Sequence, residues 1–154
     1  MAIQRSIEPG ALSPDTPVRE LMTRAVARIS PEARIDELAR KLSAVEVGAV
    51  GVGTTQSLVG IVSERDLTRA YGKTEGTENL RVSDITSKNI IWCELDTSAT
   101  AAARVMVERG VRHLLVGDDS IGDLQGIISA RDLMGALIGP LVTPESATSE
   151  ASGD

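Results

Sequence analysis

An α/β fold made of two copies of one small unit is what this sequence predicts, and three observations carry the prediction. The segment Gly60-Ile61-Val62-Ser63-Glu64-Arg65-Asp66-Leu67 returns as Gly126-Ile127-Ile128-Ser129-Ala130-Arg131-Asp132-Leu133, with six of eight positions identical at a spacing of 66. Upstream, Val18, Glu20, Leu21, Ala39, Leu42, Val47 and Val52 answer to Val82, Asp84, Ile85, Ala103, Met106, Val111 and Val116 at a spacing of 64. Within each copy the periodicity changes in one order, which reads as short strand, helix, strand, turn, strand, helix. A unit this small cannot bury both faces of its own sheet, so two copies packed on each other are the expected solution.

The elements follow in order. After Ser30-Pro31, Ile35, Leu38, Ala39 and Leu42 recur at helical spacing. In the second copy Ser98 stands as an N-cap ahead of Ala99, Ala102, Ala103 and Met106, and Gly110 closes that helix. Val47 to Val52 and Val111 to Val116 read as buried strands. Gly-Ile-Val and Gly-Ile-Ile supply the returning strand of a hairpin, and Ser63 and Ser129 open the final helices. The change of spacing from 64 to 66 places two extra residues between Val116 and Gly126, where turn residues dominate, so the second hairpin loop is the longer one. The predicted boundaries are an extension over 1–16, repeats over 17–76 and 77–142, and a disordered acidic tail over 143–154.

Composition narrows the function. The 154 residues are 42% hydrophobic, enough for a core that buries roughly 70% of the unfolded surface. Phe is absent and Trp92 and Tyr71 are single, so there is no aromatic platform for single-stranded nucleic acid. A formal charge of −6 offers no basic field to a phosphate backbone, which sets nucleic acid aside as a partner. No apolar run reaches the roughly 18–20 residues of a membrane span. Cys93 is the single cysteine and cannot form an internal disulfide, so a reducing cytoplasm is the expected compartment.

Other chemistry is poorly supported. His113 is the single histidine and has no serine or cysteine partner in the pattern, so it reads as a cleft-lining or strand-end residue rather than a catalyst. The glycines at 48, 51 and 53 lie before a turn and another strand, not between a strand and a helix, which rejects a dinucleotide fingerprint. The acidic stretch from Asp118 to Asp123 lacks the bidentate Glu of a calcium loop and reads as a solvated turn. Alternation puts Ile91 and Cys93 on one face of a strand and Trp92 on the other, where an exposed Trp would suggest an interface.

Over about residues 17 to 139 the chain resembles the tandem cystathionine beta-synthase (CBS) domain pair, or Bateman module. The resemblance rests on the openings Val18 to Leu21 and Val82 to Ile85, the helix of each copy, the Gly-Val-Arg-His-Leu-Leu-Val strand at 110–116 and the two Gly-Ile-Val/Ile-Ser-x-x-Asp endings. The first copy departs from the second, with Val47-Gly48-Ala49-Val50 where the second has Val111-Arg112-His113-Leu114. The resemblance implies a pseudo-twofold disc with two clefts between the repeats, which in the family often hold adenosine-containing ligands.

The implied binding residues are Ser63, Arg65 and Asp66, with Ser129, Arg131 and Asp132 as their counterparts, together with Arg112, His113, Val26, Ala27, Ile90 and Ile91. A serine hydroxyl at a helix start sits beside unpaired N–H groups and the positive helix end, which suits phosphate, and an aspartate one turn on could accept from a ribose diol. Ser-x-x-Asp is equally the signature of an ordinary capping box, and that alternative stands beside the ligand reading. The expected function is a non-catalytic regulatory module that takes AMP, ADP, ATP, NAD or S-adenosylmethionine as a regulatory ligand, requires no cofactor or metal, and signals to another protein. A ligand-free assembly module is the alternative. A homodimer is expected from the apolar residues Leu67 and Ala70 of one final helix and Leu133, Met134, Leu137 and Ile138 of the other.

Overall fold

The computed structural model describes residues 12–45, 48–54, 56–73 and 75–138. Val47, the end of the second repeat beyond 138 and the predicted tail lie outside the described residues. The first copy runs from a 3-10 turn at Val18–Glu20 through β1 (Arg28–Ile29), α1 (Ile35–Ala44), β2 (Ala49–Gly53) and β3 (Leu58–Ser63) to α2 (Glu64–Lys73). The second runs from α3 (Val82–Ile85) through β4 (Trp92–Cys93), α4 (Ala99–Arg109), β5 (His113–Asp118) and β6 (Asp123–Ser129) to α5 (Ala130–Leu137). Each copy forms a three-stranded sheet, β1-β2-β3 or β4-β5-β6, with its first pair parallel and its second antiparallel.

The helices form where the apolar spacing and the caps agree. Ile35, Leu38 and Leu42 are buried along α1, and the Glu37 carboxylate accepts from Arg34 N–H at 3.0 Å at its start. Ser98 Oγ accepts from Ala101 N–H at 3.1 Å to open α4. Gly110 ends α4 in the left-handed region at φ 64°, donating back to Met106 and Val107. The hairpins carry the two-residue difference read from the spacing. Gly53 pairs with Leu58 in the first, whereas Gly117 pairs with Leu124 in the second, whose loop closes through a short turn at Asp119–Ile121. Both ladders slip at the same place, after Val52 and after Val116. Gly53 and Gly117 sit there at φ 123° and 150°, where a side chain would overlap the Ser57 or Asp123 carbonyl.

Strand alternation divides the core into three layers. Leu114, Val116 and Ile128 face α4 and α5 with Cys93 and Met106, and Val50, Val52 and Val62 form the matching cluster with Leu38 and Leu42 in the first copy. The opposite faces, carrying Ala49 and Ile61 from one sheet and Leu115 and Ile127 from the other, meet between the sheets. Trp92 lies in this middle layer, half-buried, and corrects the expectation of an exposed interface residue. Both faces of each sheet are covered here. The alternation that sends Ile91 and Cys93 toward the helices therefore sends Trp92 toward the sister sheet.

The copies also exchange their leading segments. Val18 belongs to the second copy's core and bonds Thr97 O at 2.8 Å, while Val82 belongs to the first copy's core and bonds Ala33 O at 2.9 Å. Thr23 and Ile127 exchange backbone bonds at 2.9 and 3.0 Å, and Ser87 and Ile61 do so at 3.0 and 3.2 Å. These reciprocal pairings are what a pseudo-twofold arrangement requires.

Candidate functional site

The exchange carries the segment before β4 across the first copy's last strand and leaves a cleft between the repeats. Its cavity measures about 250 Å³. Ser63, Arg65 and Asp66 line it from the junction of β3 and α2, and Ile90, Ile91, Arg112 and His113 line it from the second copy. One wall is thus a helix start and the other a strand edge with an arginine and a histidine.

The helix start is a complete capping box. Asp66 Oδ2 accepts from Ser63 N–H at 2.9 Å and from Ser63 Oγ–H at 3.0 Å, while Ser63 Oγ accepts from Asp66 N–H at 3.3 Å. The second copy repeats it: Ser129 N–H donates to Asp132 Oδ2 at 2.8 Å and Asp132 N–H to Ser129 Oγ at 3.1 Å. Capping therefore operates at both endings. It uses Oδ2 of Asp66, and among the described residues Oδ1 accepts no hydrogen bond.

Seven of the twelve sequence-predicted residues meet in this cavity, and five do not. Val26, Ala27, Ser129, Arg131 and Asp132 lie at the pseudo-equivalent position instead. There Val26 packs between the sheets, Ala27 packs on the first core and its carbonyl accepts from Gly51 N–H at 2.9 Å, and Ser129 is buried. The strand edge that brings Arg112 and His113 to the cavity corresponds in the first copy to Gly48 and Ala49, and Gly48 itself lines this same cavity, where its carbonyl accepts from Glu64 N–H at 3.0 Å. Arg69, Glu64 and Asn89 also line the cavity and were not singled out from the sequence. Arg69 could have been found, since it follows Arg65 by one helical turn.

No group of three or more His, Cys, Asp or Glu side chains suited to a metal occurs among the described residues, and none of their helices is long and apolar enough to cross a membrane. Cys93 is buried as a free thiol, and burial pushes its pKa up to about 11.

Comparison with known proteins agrees with this architecture. The CBS domain model matches twice, over residues 18–73 and 82–139. The CBS domain-containing protein YhcV of Bacillus subtilis is 30% identical over 119 residues, covering 75% of this chain and 81% of its own. The crystal structure of the CBS-domain containing protein ATU1752 from Agrobacterium tumefaciens superposes with a TM-score of 0.71 at 31% identity, over 79% of this chain and 93% of that one. A CBS domain of a bacterial CNNM/CorC family Mg2+ transporter, solved in complex with ATP, shares the fold with a TM-score of 0.67 at 23% identity, over 83% and 91% of the two chains. The chain belongs to the CBS domain family and carries the domain twice, as a tandem pair.

Proposed function

We propose that this chain is a non-catalytic regulatory module of the cytoplasm that binds an adenosine-containing ligand between its repeats and passes occupancy to a partner protein. One observation carries the reading: a cavity bounded by both repeats, with a serine-capped helix start on one side and Arg112 and His113 on the other. In this reading Asp66 Oδ1 accepts from the ribose hydroxyls, the arginines meet phosphate, and Ile90 and Ile91 pack on the base. Because the ligand touches both repeats, occupancy changes how firmly they are held together, and a partner reads that change. The ATP in the transporter domain belongs to that protein; here it supports only the choice of ligands to test.

A thermal-shift screen with AMP, ADP, ATP, NAD and S-adenosylmethionine tests the reading. A ligand that binds only the folded chain stabilises it by about 2.7 kcal/mol at 100 times its Kd. At least one member of the panel should raise the melting temperature, and flat curves throughout would contradict the proposal.

The assembly reading has its own support. Val107 on α4 and Met134, Leu137 and Ile138 on or just after α5 are exposed, at 83%, 57%, 37% and 66%. This apolar surface suits an isologous contact with a second copy, so the regulatory module is proposed to act as a homodimer.

A further inference from the structure

The segment that precedes the first repeat is tied to the second. Thr16 is buried and its carbonyl accepts from Ala99 N–H at 2.9 Å, while Pro14 O accepts from Thr100 N–H and from Thr100 Oγ1–H, each at 3.1 Å, so the chain crosses the start of α4. Thr16 N–H donates to Ser13 O at 3.0 Å and Ser13 N–H to Thr16 Oγ1 at 2.9 Å, a tight turn that brings the chain to α5. There a Cβ on Gly135 would meet Leu12 Cδ1 at 3.7 Å. Glycine is a poor choice inside a helix, but here its bare backbone lets an apolar side chain lie against α5. The first copy has Arg69 at the matching position.

Leu12 is itself exposed, and so are Met134, Leu137 and Ile138, which flank Gly135 along the helix. The apolar outer face of α5 therefore continues onto the chain that leads away from it. Residues 1–11, which join this point, carry Ile3 and Ile7 four apart, with Gln4, Arg5, Ser6 and Glu8 as polar neighbours and Pro9-Gly10 as a turn signal before Leu12. Ile7 stands five residues from Leu12, a reach of up to roughly 18 Å, whereas the eight residues of α5 span only about 12 Å. Any second copy that approaches α5 meets this segment at the same place.

We infer that residues 1–11 seat on the exposed face of α5, with Ile3 and Ile7 over Met134, Leu137 and Ile138, and that two copies meet across these seated segments rather than across bare helices. The seating stands on the position of Leu12 alone. The contact between copies rests on the homodimer proposed above and adds to it a part of the chain outside the repeats.

Amide NMR and light scattering on the full chain test both clauses, with Ile3→Asp/Ile7→Asp compared with Gln4→Asp/Ser6→Asp, which adds the same charge at polar positions. The isoleucine variant should shift the amides of residues 131–138 and weaken dimerisation by about tenfold or more, as loss of anchoring apolar side chains does. The control should do neither, and unmoved amides in the first repeat show that the fold is intact in both. Amides of α5 that stay in place in the isoleucine variant, or move equally in the control, would overturn the seating. Shifted amides with dimerisation as tight as in the parent would overturn the second clause. A parent that keeps a single-chain mass at every concentration overturns the homodimer reading and the second clause together, and the α5 amides still decide the seating.

Discussion

Asp66 closes the capping box of α2 through one carboxylate oxygen and, in the proposed function, meets the ribose with the other. The two roles separate by mutation. Asp66→Ala should cost the fold about 1 kcal/mol for the lost cap, and should weaken nucleotide binding by about 1.5–3 kcal/mol for the lost charge-assisted bonds. Glu37→Ala removes the equivalent cap of α1, away from the cleft, and should lower the melting temperature comparably with nucleotide affinity unchanged. If calorimetry finds the two variants alike in both measurements, Asp66 is only a cap. Cys93 gives a second test at this scale. Its thiol is raised from 9.0 to about 11 by burial, so the unfolded chain loses its proton first as pH rises. The stability tied to the neutral thiol is complete below about pH 9 and is lost as pH climbs through 11. Denaturant melts across that window should show the decline, and Cys93→Ala should lessen it. Residue type and duplication spoke together at Ser63 and Asp66, whereas Arg112 and His113, which have Gly48 and Ala49 as counterparts, were indicated by the family resemblance. Ser129, Arg131 and Asp132 carry the same helix-start pattern as Ser63, Arg65 and Asp66, but the two copies differ at Gly48 and Ala49 against Arg112 and His113, so the two positions are not equivalent.

At the scale of elements, helices, hairpins and even the two-residue insertion were readable, because caps, apolar spacing and turn glycines are local signals. The exchange of leading segments was not. Val18 and Val82 announce themselves as equivalent by their spacing, yet nothing local says that each packs in the other copy's core. Trp92 was misplaced for a related reason: alternation gives two faces, but only the tertiary arrangement says that both are covered. Gly60 and Gly126 mark the crossing points. A Cβ at Gly60 would overlap Thr86 Cγ2 and lie 2.8 Å from Ser87 O, and one at Gly126 would lie 2.5 Å from Met22 Sδ and 2.8 Å from Thr23 O. Gly60→Ala should therefore push the second copy's leading segment off β3 and destabilise the chain by about 1–3 kcal/mol. Gly72→Ala, with nothing within 4 Å of the added carbon near the end of α2, should stabilise by about 0.4–1 kcal/mol. Chemical denaturation reads both, and a Gly60→Ala variant as stable as the parent would refute the assigned crossing.

For the whole molecule, the exposed apolar side chains are more numerous on the second repeat, with Val59 and Tyr71 exposed on the first. Leu133 is only 1% exposed and Ala70 8%, and Leu67 packs on the first core, so these three serve the monomer rather than the dimer expected from sequence. Met134, Leu137 and Ile138 stay exposed, while their counterparts in the first copy are Thr68, Tyr71 and Gly72. A dimer built on the second repeat should scatter light as twice the 16.2 kDa chain, and Met134→Lys/Ile138→Lys should return it to a concentration-independent single-chain mass. The central claim, that a nucleotide sits between the repeats, is tested most directly by backbone amide NMR during titration with ATP. The account predicts saturable shifts concentrated at Ser63–Arg69, Ile90, Ile91, Arg112 and His113, three segments far apart in sequence that respond together. Absence of shifts, or shifts confined to α4 and the exposed end of α5, would contradict it.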